Sequence, residues 1–96
     1  MVKLDEKNKK HYQKVIIDSL IANNRKVFRA TFLDLHPYDQ AALFSSFTEE
    51  QRKKGYEFLT PLETSLLFEN LSTDDQIRFF SEMDEDYSAE MLNSMF

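Results

Sequence analysis

The sequence predicts an all-α protein, an α-solenoid of short helices behind one longer N-terminal helix. Three observations lead there. A twelve-residue pattern recurs six times without insertion from Asn24 onward. Large apolar residues hold fixed places in that pattern, at the spacing of a helix stripe and not of a strand. The chain also has only one Gly and two Pro in 96 residues, and sheet folds lean on such residues for hairpins and bulges.

The blocks read NRKVFRATFLDL, HPYDQAALFSSF, TEEQRKKGYEFL, TPLETSLLFENL, STDDQIRFFSEM and DEDYSAEMLNSM. The twelfth position is always large and apolar: Leu35, Phe47, Leu59, Leu71, Met83, Met95. So is the ninth: Phe32, Phe44, Tyr56, Phe68, Phe80, Leu92. The eighth is apolar in four blocks, at Leu43, Leu67, Phe79 and Met91. Positions 8, 9 and 12 fall at i, i+1 and i+4, one stripe on a helix.

Each block opens on a helix N-cap: Asn24, His36, Thr48, Thr60, Ser72, Asp84. Five of these are standard cap residues, whose side-chain oxygen accepts from an orphan backbone N–H. Thr48 has Gln51 three residues on and Thr60 has Glu63, the capping-box pattern. Pro37 and Pro61 both follow a cap directly, at the first helical position, where a missing N–H costs nothing. Each block is therefore one helix of about eight to ten residues and a tight corner. Helices that short are marginal alone, so stacking supplies the stability. The blocks resemble each other best at alternate places, giving a 24-residue helical pair. Gly55 marks either a close contact or a weak point in its helix.

Residues 1–23 form an N-terminal amphipathic helix, with a stripe of Leu4, Tyr12, Val15, Ile16, Leu20 and Ile21, ended by Asn23-Asn24. Residues 24–96 form the repeat domain. The last block keeps its apolar stripe and ends on Met91, Leu92, Met95 and Phe96. These side chains are expected to await a following segment, making the chain a piece of a longer one, or to self-associate weakly, as in a homodimer.

The net charge of −5 hides a gradient: residues 1–30 carry +5, residues 31–60 carry −2 and residues 61–96 carry −8. The acidic end disfavours nucleic acid and favours cations or a basic partner. Without Cys there is no disulfide, thiolate metal site or Cys nucleophile. The longest apolar run, Ala41–Phe44, is far short of a span or a signal-peptide core, so membrane insertion is not expected. No nucleophile elbow or phosphate-binding Gly loop is present, and no enzyme is expected.

Asp84, Glu85 and Asp86, with Glu82 nearby, form the densest carboxylate cluster. Magnesium takes oxygen ligands and keeps several waters, so a few converging carboxylates can hold it. The same residues also fit a capped first turn facing the helix dipole, as do Asp74 and Asp75. His11 and His36 lack the partners of a transition-metal site. Lys7, Lys9, Lys10 and Lys14 fit a solvated helix face or an anionic lipid surface.

The stretch from Phe28 to Met95 resembles the cytosolic N-terminal domain of MgtE-type magnesium transporters. LDLHPYDQAALFSSF (Leu33–Phe47), FLTPLETSLLFENLSTDDQ (Phe58–Gln76) and MDEDYSAEMLNSM (Met83–Met95) carry the likeness. The resemblance implies a right-handed superhelix of short helices. It also implies a regulatory domain on the cytoplasmic side of the plasma membrane. There it would dock on downstream CBS modules of the same chain when Mg2+ is abundant, and so gate the membrane domain's pore. The family's metal-contacting acid aligns near Leu66, which cannot be a ligand, leaving Glu63 and Glu69 one turn away on either side. A motor-switch-like interaction scaffold without ion response is the alternative.

Overall fold

The computed structural model describes residues 1–95. It is all-helical: α1 (Lys9–Ile21), α2 (Arg25–Phe32), α3 (Pro37–Ser46), α4 (Glu49–Phe58), α5 (Pro61–Phe68), α6 (Thr73–Glu82) and α7 (Glu85–Ser94).

The corners follow the chemistry of the repeat. Asn24, His36, Thr48, Thr60, Ser72 and Asp84 all stand at N-caps. Both capping boxes close, with Thr48 and Gln51 exchanging side-chain-to-backbone bonds, and Thr60 and Glu63 likewise. His36 caps with its ring, Nδ1 accepting from the Tyr38 N–H at 3.0 Å. Asp84 is the exception, since its side chain makes no cap hydrogen bond. Between α1 and α2 the chain turns through Asn23 at φ 56°, a left-handed conformation that Asn tolerates better than most residues.

Helices two apart stack. α3, α5 and α7 form one layer; α2 and α4 pack in the other, and α1 packs on both of these. Side chains join α6 to α4. The stripe makes most of the core: Phe32, Phe44, Phe68 and Phe79 are fully buried or nearly so, joined by Phe28 one turn before Phe32. Their rings interlock across blocks, Phe28 on Phe58 at 5.5 Å, Phe44 on Phe79 at 6.0 Å and Tyr56 on Tyr87 at 5.9 Å. Aromatic pairs at such spacings add to the burial term. Gly55 marks a close contact, because a Cβ there would lie 3.0 Å from Phe44 Cε1.

The N-terminus departs from expectation. The helix begins at Lys9, and Leu4 is not on it. Asp5 Oδ1 accepts from the Lys7 and Asn8 N–H groups at 2.8 and 2.9 Å, which delays the helix start. Residues 2–4 instead run along the α2–α3 corner. Val2 donates to Asp34 O at 2.8 Å, His36 donates to Val2 O at 3.0 Å, and Leu4 donates to the Asp39 carboxylate at 3.0 Å.

Candidate functional site

The carboxylates named from the sequence meet different fates. Asp84, Glu85 and Asp86 are exposed at the start of α7. Glu82, beside them in sequence, turns inward. Its side chain is 6% exposed and its Oε2 accepts from Arg52 Nε at 2.9 Å. The guanidinium also donates Nη1 to Phe47 O at 2.6 Å and lies 4.2 Å above the Phe79 ring. The Tyr56 hydroxyl donates to Glu82 Oε2 at 2.9 Å. Glu82 is thus withdrawn from any cation site at the α7 corner.

Glu63 is likewise committed. Arg29 grips it with two bonds, at 2.7 and 2.8 Å, and the Thr60 N–H donates to the same carboxylate at 2.8 Å. Glu69 stands exposed at the C-cap of α5, and Leu66 is 49% exposed. Among the described residues no three His, Cys, Asp or Glu converge as a metal ion requires.

The electrostatics fit these partnerships. The bond from Arg29 holds the Glu63 carboxyl below the usual range against the pull of burial. For Glu82 burial pushes the carboxyl up, but hydrogen bonds from Arg52 and Tyr56 outweigh it and the net shift is downward. Burial pushes the Tyr87 hydroxyl up to about 12; it donates to Leu59 O at 2.9 Å and pairs with Thr64 Oγ1 at 2.6 Å.

The expected apolar contact set divides as well. Met91 is fully buried in the core, so it leaves that set. Leu92 is 41% exposed, Met95 is half-buried, and Phe96 lies outside the described residues. The sequence reading missed Ile77 and Phe80 as exposed side chains, at 68% and 36%.

It also missed the buried Arg52–Glu82 pair. The one available signal was Arg in place of Lys, since a guanidinium suits a two-pronged buried pair and an ammonium does not. Arg29 and Arg52 both make two-pronged pairs with a distant carboxylate, only that of Arg52 being buried, whereas Lys14, Lys53, Lys54 and Arg78 pair within their own helix.

Among the described residues every buried side-chain N or O atom has a hydrogen-bond partner, within an all-α stack of short capped helices. Comparison with known proteins gives its family. The family model of the MgtE intracellular N domain matches residues 35–96, and the chain belongs to that family. This is a domain family of a transporter, not of an enzyme. The chain is 31% identical over 77 residues to the magnesium transporter MgtE of Enterococcus faecalis (strain ATCC 700802 / V583), covering 80% of this chain and 16% of that protein. It also superposes on the crystal structure of the soluble part of a magnesium transporter with a TM-score of 0.85 and 28% identity, covering 91% of this chain and 35% of that one. The likeness agrees with a superhelical stack. The chain thus spans a minor part of both proteins, and no helix among the described residues is long and apolar enough to cross a membrane.

Proposed function

We propose that the chain is the regulatory intracellular domain of a magnesium transporter, on the cytoplasmic side of the plasma membrane. It docks on CBS modules of the same protein when magnesium is abundant and leaves them when magnesium falls, and so gates the membrane pore. The family assignment carries this reading, and the structural likeness over most of the chain supports it. Both favour the transporter over an ion-indifferent scaffold.

The exposed carboxylates give the reading a physical basis. Asp74, Asp84, Glu85, Asp86 and Glu90 have no ion-pair partner among the described residues. An acidic partner is repelled from them until a divalent cation screens or bridges the charge. With Glu63 and Glu82 already paired, the carboxylates free to meet magnesium are Asp84, Glu85 and Asp86, and Glu69 separately. Ligands from the partner domain complete the shell. Such a site binds weakly and releases its ion readily, as a sensor must.

Thermal melts and small-angle scattering of a longer protein that carries this domain with its CBS modules test the reading. Magnesium should raise that protein's melting temperature and compact it, and should leave the 96-residue chain nearly unchanged. A longer protein indifferent to magnesium refutes the sensing role.

A further inference from the structure

One block of the repeat keeps its cap open to an outside chain. In α4 and α5 the cap's own N–H is taken up within the block. Thr48 N–H donates to Gln51 Oε1 at 2.9 Å and Thr60 N–H to Glu63 Oε1 at 2.8 Å. Gln and Glu at the fourth position are long enough to reach back. The α3 block has Asp39 there, one methylene shorter than Glu. His36 N–H donates instead to Val2 O at 3.0 Å, and Asp39 Oδ2 accepts from Leu4 N–H at 3.0 Å. The short acid thus leaves both groups to the N-terminal arm.

Pro37 fixes the shape of this corner. A residue before proline is pushed to extended backbone, and His36 has φ −61° and ψ 142°. Leu35 is fully buried. Asp34 O and His36 N–H, on either side of it, serve as the edge of a parallel pair. Val2 answers both, its own N–H donating to Asp34 O at 2.8 Å, in a parallel bridge with Leu35. Three bonds tie the arm to the corner, and all three go to the arm's main chain. Its side chains add apolar contact alone: Val2 and Leu4 pack half-buried on the core, and Lys3 is exposed. The arm does not fill its bed either. Open hollows of about 360 and 340 Å³ both reach Leu4, Tyr38 and Asp39.

We infer that the α2–α3 corner is a binding edge for an extended peptide segment of apolar–x–apolar pattern, with residues 2–4 as its built-in, exchangeable occupant. Main-chain bonds combined with contact at alternate side chains are the mode of β-strand addition. Such an edge takes a segment that offers an N–H and a C=O at one apolar residue and a second N–H at the apolar residue two further on. The arm competes for the edge in cis and holds it closed. Three hydrogen bonds and two half-buried side chains are a small hold, of the kind that opens locally while the rest of a domain stays folded. An incoming segment enters while the arm is off. The inference depends neither on magnesium nor on docking to CBS modules.

Amide NMR of the isotope-labelled 96-residue chain, titrated with the blocked peptide MVKLDEK (residues 1–7), tests this. Val2→Pro with Leu4→Asp loosens the chain's own arm, because proline has no N–H for Asp34 O and aspartate makes no apolar contact. On that variant the peptide should shift the Leu35, His36 and Asp39 amide signals. The wild type should need about tenfold more peptide or above, since its arm occupies the edge most of the time. The same peptide with proline in place of its valine should leave these signals unmoved. Asp39→Glu, added to the loosened variant, gives α3 the longer acid of α5. It should close a capping box on His36 N–H and weaken peptide binding by about tenfold, the order of a lost hydrogen bond. Amide signal dispersion checks that each variant folds. Val2→Pro alone keeps the test valid where the double variant does not fold, and should act in the same direction. Corner signals unmoved at millimolar peptide, equal binding by the wild type, equal binding of the proline peptide, or indifference to Asp39→Glu would each overturn the inference.

Discussion

Removing Glu82 should cost this domain a large share of its stability. The Arg52 and Glu82 side chains are only 7% and 6% exposed, so the guanidinium cannot recover water when its partner goes. In Glu82→Ala, Arg52 keeps one bond to Phe47 O and its place over Phe79, but its charge is uncompensated. Breaking a buried pair from one side costs about 3–5 kcal/mol. A domain of this size has roughly 5–15 kcal/mol to lose. Urea unfolding followed by circular dichroism measures the loss, and the thermal midpoint should fall by about 12 °C or more. Asp18→Ala, which breaks a pair that is 76% and 58% exposed, should cost less than about 1 kcal/mol. The double replacement Arg52→Met with Glu82→Leu should regain most of the loss, since apolar pairs often substitute for buried ion pairs at no cost. If Glu82→Ala costs no more than Asp18→Ala, the pair is not the buried clamp described here.

Four further outcomes follow from the same geometry. Glu82 and Glu63 are both held below the ordinary glutamate range, so their contribution is complete above the unfolded-state value and is lost as pH falls from there through the lower folded-state value; the stability gap between the wild type and Glu82→Gln should narrow below about pH 4.3. Thr60→Ala breaks a closed capping box and should cost about 1 kcal/mol in urea unfolding. Asp84→Ala removes no side-chain cap bond and should stay within about 0.5 kcal/mol of wild type. Gly55→Val drives a branched side chain against Phe44 and should lower stability by about 1–3 kcal/mol, read from the same unfolding curves.

What the sequence made legible was local. A cap is a contract between residues three apart, so the six corners could be read from Asn24 to Asp84, His36 included. The stripe was legible too, because its positions repeat. The N-terminal arm was not, since Val2 and Leu4 answer to Asp34, His36 and Asp39 and no helix period records that. The fate of the carboxylates was hidden for the same reason. In sequence Glu63 and Glu85 look alike, each an acid in the first turn of its helix. An arginine thirty-four residues before Glu63 takes that carboxylate, and nothing comparable reaches Glu85. Met91 and Leu92 are neighbours in one apolar tail, yet one is core and the other surface; helix rotation separates them.

The charge gradient then has a structural cause. Its long-range pairs run one way, from Arg29 on α2 to Glu63 on α5 and from Arg52 on α4 to Glu82 on α6. Cations early and acids late hold a stack whose successive units must recognise each other across about thirty residues. Of the stripe residues in α6 and α7, Phe79 and Met91 are buried, whereas Phe80 and Leu92 are exposed. Nine of the ten Asp, Glu, Lys and Arg residues in 61–96 are acids, and two of them, Glu63 and Glu82, take arginines of earlier helices. The gradient is therefore in part a record of these pairs, since each ties a cation of an early helix to an acid of a later one across about thirty residues.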